Sequence, residues 1–343
     1  MIPLTTLRGY QPYRGGVRVA IIGLGAVGAT LLTSIEPRHS VTAVVRGDHG
    51  RAVKARGISV TGALGGHKIK VHALAKLPLE KFDAVIVAVK AHEVFSAIQS
   101  ASLQTSTPIL VVANGIGALA EARRAAPKNP IALGLAMFGA NIAEPGRVDV
   151  TYAAPLVVGG DVKAVDTART IIGPSIQLLV SRDIDNASWS KLLVNELNAL
   201  PAITGFSVQE TIANPWTREI VTRAMREAAR VHLAEADGRF PRIGPINGLR
   251  ARILASGPWS WALRVPTAIV AKMGATPNYA STHQSIARGR QTEIDFLAGA
   301  VVAAGVRAGI STPINRTLVS LVHEVEETGR FYSLDEIRRR FPL

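Results

Sequence analysis

The chain has 343 residues, 48% hydrophobic and 19% charged, the balance of a globular protein with room for two cored domains. It has no cysteine, which excludes disulfides, thiolate nucleophiles and cysteine-based zinc sites and is compatible with a reducing cytoplasm, the expected location. The net charge of +14 raises nucleic acid as a partner, but aromatics are only 5% and the basic residues are scattered, so the charge reads as attraction for anionic small molecules or as solubility.

Residues 1–16, MIPLTTLRGYQPYRGG, read as a loose leader with no signal-peptide core. From Val17 onward, strand-length runs rich in Val and Ile (VRVAIIG, SVTAVV, FDAVIVAV, PILVVAN) alternate with helical stretches such as AVGATLLTSI and HEVFSAIQSAS. Continuous apolar strands suit a parallel sheet buried on both faces. The alternation predicts an α/β fold over residues 17–182: a Rossmann-type doubly wound sheet that binds ligands at the carboxyl ends of its strands. Residues 129–160 add further strands joined by turns, one of them at EPGR.

Helical spacing takes over near Arg182 and predicts an all-α C-terminal domain, 183–343. Its Arg218, Arg223, Arg226 and Arg230 alternate with apolar residues and read as a solvated helix face. Residues 238–266, rich in Gly and Pro, read as an irregular connector. Ser333 and Glu336 in SLDE form a capping box that opens a short terminal helix. No apolar run approaches the ~20 residues of a membrane-spanning helix, so no membrane partner is expected. The histidines lack HExxH or paired-ligand spacing, so no metal is expected, and no GxSxG elbow supports a hydrolase.

The chemistry begins at the glycine loop Gly23-Leu24-Gly25-Ala26-Val27-Gly28, which follows a predicted strand and opens a helix. Gly23 permits the tight turn, Gly25 lets the backbone approach a pyrophosphate, and Gly28 lets the helix pack close to the strand. About twenty residues on, Arg46 ends the second strand run. An acid there would bond the ribose 2′-hydroxyl of NAD, whereas an arginine pairs with the 2′-phosphate of NADP. Asp48 two residues later, or a plain surface role for Arg46, is the alternative. In the second domain, SKLLVNELN sets Lys191, Asn195 and Asn198 at i, i+4 and i+7, within roughly 60° on one helical face. Burying those groups without partners would cost on the order of 1–3 kcal/mol each, so the stripe should face water or a polar ligand.

The chain resembles the ketopantoate reductases (2-dehydropantoate 2-reductases) along nearly its full length after the leader. The resemblance is carried, in family order, by GLGAVG, VVRGDHGRAVKARGISV, DAVIVAVKAHE, VANGIG, EPGRV, WSKLLVN, TEIDFLAGAVV and GISTPINRTL. It implies that Lys191 is the general acid for the substrate carbonyl and Glu293 the second catalytic residue. Asn114 and Lys90 would line the cofactor and substrate cleft, and Arg46 would take the NADP phosphate. Asn114, Asn195, Asn198 and Ser281 would bind a small 2-oxo acid. The implied reaction is NADPH-dependent reduction of 2-dehydropantoate to pantoate, in pantothenate biosynthesis. A reductase of another branched 2-oxo acid and a non-catalytic NADP-binding sensor stand as alternatives.

The departures lie on the substrate side. The family reads K-x-x-x-N-x-x-x-N, but here the second asparagine comes one residue early, at Asn198. Ser285 stands where the family often has an aspartate, and an NGEL-like segment appears as VQET. Exposed helices in the second domain are compatible with a homodimer.

Overall fold

The computed structural model describes residues 16–35, 37–273 and 277–341; the predicted leader, apart from Gly16, falls outside them. The chain divides into two compact units, with the boundary after Ile184 rather than after Arg182. Gly115–Gly117 also group with the second unit. The reason is local: Ile116 N–H donates to the Phe296 carbonyl at 2.8 Å, and a Cβ on Gly115 would lie 2.2 Å from that oxygen.

The first unit contains strands β1 (Arg18–Ile22), β2 (Ser40–Val44), β3 (Ile58–Gly62), β4 (His67–Ile69), β5 (His72–Leu74), β6 (Ala84–Val87), β7 (Ile109–Val112), β8 (Ile131–Ala136), β9 (Gly139–Glu144), β10 (Arg147–Tyr152), β11 (Leu156–Gly160) and β12 (Leu178–Val180). Its helices are α1 (Ala26–Leu32), α2 (Gly47–Arg56), α3 (Val94–Ser100), α4 (Ala118–Ala125) and α5 (Val162–Ile171). The main sheet runs β12-β11-β8-β7-β6-β1-β2-β5. From β5 to β8 every pairing is parallel, while β11 returns antiparallel against β8. Strand order therefore reverses on either side of β1, the switch point at which doubly wound sheets bind ligands. Val19, Ala20 and Ile21 of β1 are fully buried, as a strand covered on both faces requires. The sequence reading did not foresee a second sheet, β4-β3-β10-β9, whose β9–β10 hairpin turns at Gly146 in EPGR with φ +86°.

The second unit takes α6 (Ile184–Asn195) from its second residue, then α7 (Ala199–Thr204), α8 (Val208–Ala213), α9 (Pro215–Leu233), α10 (Gly248–Ser256), α11 (Trp259–Ala262), α12 (Arg264–Val270), α13 (Ser281–Ile286), α14 (Ala298–Ala308), α15 (Pro313–Thr328) and α16 (Leu334–Arg338). The expected capping box at Ser333 and Glu336 is present. Two expectations are corrected. Residues 248–266 of the stretch expected to be irregular form α10, α11 and the start of α12, because their Gly and Pro stand where helix ends tolerate them. Asn247 caps α10 ahead of Gly248, Pro258 precedes α11, and Pro266 lies in the first turn of α12. The arginine face of α9 is only partly solvated. Arg226 donates to the carbonyls of Leu254 and Gly257, and Arg230 to that of Ala255, so the guanidinium groups satisfy the open C-terminal carbonyls of α10.

Between α6 and α7 a 3₁₀ turn, Glu196–Asn198, carries a buried acid that the pattern reading passed over. Glu196 is 2% exposed, and neither carboxyl oxygen has a hydrogen-bond partner among the described residues. Burial, helped by the charge of Glu227, pushes its pKa up to about 8. Glu227 is held by the Ile314 and Asn315 N–H groups and the Asn315 amide, at 2.8–2.9 Å. Because the raised pKa keeps the folded chain protonated over a window where the unfolded chain is not, Glu196 costs stability as pH rises from about 4.5 to about 8. Glu196→Gln, neutral at every pH, should flatten that decline, with a melting temperature on the order of 2 °C or more above wild type near pH 8. Parallel melting curves for the two proteins from about pH 5 to about pH 8 would show that Glu196 is not the buried proton.

Candidate active site

In the first unit the cofactor candidates stand at the carboxyl ends of four neighbouring parallel strands. Gly23 follows β1, Arg46 follows β2, Lys90 follows β6 and Asn114 follows β7. Gly23 has φ +93°, and a Cβ there would lie 2.5 Å from the Ala88 carbonyl oxygen, so only glycine fits the turn. A Cβ on Gly28 would lie 2.0 Å from the Gly23 carbonyl oxygen, the close approach of helix to strand that the motif requires. At Gly25 nothing lies within 4 Å of the same construction. The middle of the loop is therefore open, with Ala26 and Val27 half-buried beside it and Leu24 turned into the core.

Leu24 is tied down by a residue the sequence reading missed. Buried His49 meets the Leu24 carbonyl through Nε2 at 2.9 Å and receives the Gly146 N–H at Nδ1, 3.1 Å. Accepting at Nδ1 puts the proton on Nε2, so the imidazole donates to the glycine loop and couples it to the β9–β10 hairpin. Its partners lie 25 and 97 residues away, and no local pattern marks such a link.

Arg46 is exposed at the N-cap of α2, and its Nε donates to the Ala75 carbonyl at 3.2 Å. Its terminal amino groups have no partner among the described residues, which leaves them available to an anion. Asp48, the alternative, is ion-paired with Arg51.

In the second unit the other candidates lie along α6 and the segments packed near it. Asn186 accepts from His232 Nε2–H at 2.6 Å and from the Arg239 N–H at 2.8 Å, Trp189 stacks on His232 at 4.6 Å, and the Ser190 hydroxyl donates to the Pro241 carbonyl at 2.8 Å. These contacts fix the helix that carries Lys191. Lys191 is only 7% exposed and is followed by fully buried Leu192 and Leu193, so its part of the predicted stripe does not face water. Burial lowers its pKa to about 8, and the charge of Glu293 opposes that fall.

The early second asparagine has a structural counterpart. α6 ends at Asn195, and the 3₁₀ turn carries the chain to Asn198. Three 3₁₀ residues rise about 6 Å and turn about 360°, whereas four α residues rise about 6 Å and turn about 400°. The tighter turn thus sets Asn198 one turn beyond Asn195 on nearly the same face, absorbing the missing residue. Both asparagines are half-buried.

Ser281 is the exposed first residue of α13, which packs against the 3₁₀ turn and α7. Its neighbour His283 stacks on Phe331 at 5.3 Å, and burial holds its pKa low, as suits a wall residue. Glu293 is half-buried and immediately precedes a second 3₁₀ turn, Ile294–Phe296. Within this unit, then, an ammonium of lowered pKa, a carboxylate acting on it and two amides belong to the same helical bundle.

Comparison with known proteins gives a consistent picture. Residues 19–161 match the family described as ketopantoate reductase PanE/ApbA, and residues 183–326 its C-terminal counterpart. A 2-dehydropantoate 2-reductase of Archaeoglobus fulgidus is 28% identical over 318 residues, covering 90% of this chain and 98% of that protein. The crystal structure of a PanE/ApbA family ketopantoate reductase from Ralstonia eutropha superposes with a TM-score of 0.77 at 26% identity, covering 91% of this chain and 99% of that one. D-mandelate dehydrogenase, solved with NADH and anilino(oxo)acetate, shares the fold with a TM-score of 0.75 at 21% identity and 91% coverage of this chain, 99% of its own. With both halves matched in order and at nearly full length, the chain belongs to the ketopantoate reductase family of oxidoreductases.

Proposed function

We propose that this protein is an NADPH-dependent reductase of a branched 2-oxo acid, with 2-dehydropantoate as substrate and pantoate as product. The observation that carries the reading is a buried Lys191 whose pKa is lowered to about 8 and whose charged form is supported by Glu293. The Gly23–Gly28 loop would hold the pyrophosphate, Arg46 the 2′-phosphate, and Lys90 and Asn114 the nicotinamide side. When bound, the cofactor supplies the hydride.

The ketone oxygen gains negative charge as its carbon is reduced and needs a proton donor in reach. An ammonium with an ordinary lysine pKa holds its proton too firmly near neutrality, and one that burial had fully discharged would have none to give. Lys191 lies between these limits, suited to donate a proton to an alkoxide. Glu293 keeps it charged against desolvation. Asn195, Asn198 and Ser281 would hydrogen-bond the acid without titrating. A second reading, reduction of a different 2-oxo acid, is favoured by the departures at VQET and Ser285, which stand where family members recognise the substrate.

Lys191→Ala should retain NADPH affinity and lose about 10²–10⁴ in kcat; an unchanged kcat would remove Lys191 from the reaction. Because the donor must be protonated, kcat for reduction should fall as pH rises through about 8. Glu293→Gln removes the charge that raises the Lys191 pKa, so it should shift that alkaline limb to lower pH. A limb that stays in place would show that Glu293 does not act on the lysine. Arg46→Ala should narrow the preference for NADPH over NADH, and a constant ratio would exclude Arg46 as the phosphate ligand. NADPH oxidation with 2-dehydropantoate and a panel of 2-oxo acids decides between the two substrates; tight NADPH binding without turnover of any would overturn the reductase reading.

A further inference from the structure

Thr292, Glu293, Ile294 and Asp295 form the segment that carries Glu293, and two hydrogen bonds join it to α15, linked by a third within that helix. Glu326 accepts the Thr292 N–H at 2.6 Å with one carboxyl oxygen and meets His323 Nδ1 at 2.9 Å with the other. His323 Nε2 meets Asp295 at 2.9 Å. Both ring nitrogens therefore face carboxylate oxygens, and an ionised carboxylate can only accept. A neutral imidazole has one N–H and can satisfy one of these contacts; histidinium has two and satisfies both.

We propose that His323 is a positioning residue whose protonated imidazole clamps the Thr292–Asp295 segment to α15 and so holds Glu293 in its working place. The proposal rests on the reading of Glu293 as part of the reaction. The clamp grips the segment on both sides of Glu293, at the residue before it and the second residue after it, while the Ile294 N–H is held internally by the Thr292 hydroxyl at 3.2 Å. Loss of the Asp295 bond frees that flank directly, and loss of the Glu326 bond leaves the carboxylate that holds Thr292 without its anchor on the ring.

The charged surroundings of His323 are simple. Asp295, on the 3₁₀ turn, and Glu326, on its own helix, are the charges that act on it. Of the other elements packed on α15, α7 carries no charged residue and α14 only Arg307, in its last turn. On α9, Glu227 meets α15 at Ile314 and Asn315, more than two turns away. On α15 itself, Glu327 stands one turn further on, and Glu324 is engaged by Arg340 and Tyr332. Burial pulls the imidazole pKa down, but the bonds to Glu326 and Asp295, with their charges, outweigh it and raise the pKa above the ordinary 6.5. The clamp is thus fully formed below that ordinary value and is lost as pH rises through the raised one.

The direct test is hydrogen exchange at the Thr292 amide in the full-length protein, beside ¹³C-imidazole titration of His323 in wild type. Thr292 protection should fall about tenfold as His323 deprotonates, with a parallel several-fold loss of kcat. His323→Gln should show the low protection at all pH, and His323→Lys, a cation with several donors, should restore it without the pH step. An imidazole titrating at or below 6.5, or Thr292 protection that is flat with pH or equal in His323→Gln, overturns the clamp. Protection that changes as expected while kcat does not overturns its link to the reaction. Failure of the underlying reading is seen separately, as a Glu293→Gln variant that keeps both kcat and its pH profile.

Discussion

The constraint on which the helical unit depends is the burial of one ammonium. Lys191 is buried in α6, and burial favours its neutral form. Left alone, desolvation would favour its discharge. A carboxylate at Glu293 opposes that discharge, and the balance leaves a lysine that exchanges its proton near neutral pH. Much of the neighbouring structure is the means of holding these groups still. Asn186, Trp189 and Ser190 fasten α6 to the end of α9 and the segment that follows it, while Glu326 and His323 hold the segment that bears Glu293.

The sheet unit meets a different demand, which is to expose backbone to an anionic ligand without collapsing around it. Its glycines divide that work. Gly23 and Gly28 stand where any side chain would collide with backbone, and Gly25 stands where nothing would. Tight packing at the two ends of the loop holds the middle open. The buried His49 adds a second restraint by taking the Leu24 carbonyl, so the loop is anchored from outside the motif as well as by its own turns.

Family resemblance at 26–28% identity leaves room for local change, and the helical unit shows how such change is tolerated. A missing residue between two asparagines would rotate every later side chain by about 100° in a continuous α-helix. Here the chain tightens into a 3₁₀ turn whose rise and rotation replace those of the longer step. The same turn buries Glu196, without hydrogen-bond partners among the described residues, beside Glu227, a stability cost located next to the asparagines. Such local strain in polar bonding at a site is tolerated because a large apolar core surrounds it.

What the sequence determined by itself was whatever depends on short-range pattern. Valine- and isoleucine-rich runs separated by helical stretches specified a parallel sheet, GLGAVG specified its phosphate turn, and the change of texture near Arg182 specified a helical second half. Lys191, Asn195 and Glu293 were singled out through family motifs and Arg46 through its place after the second strand, as candidates whose roles are proposed. The helices at 248–270 were hidden because Gly and Pro are read as breakers, although at helix ends they are compatible with helix. Only the tertiary structure decided the contacts between residues far apart in the chain: His49 with Leu24 and Gly146, Asn186 with His232, His323 with Asp295. It alone also decided how deeply Lys191 and Glu196 are buried, and hence their pKa values. Burial and long-range hydrogen bonding belong to the folded packing of many segments, so no window of local sequence carries them.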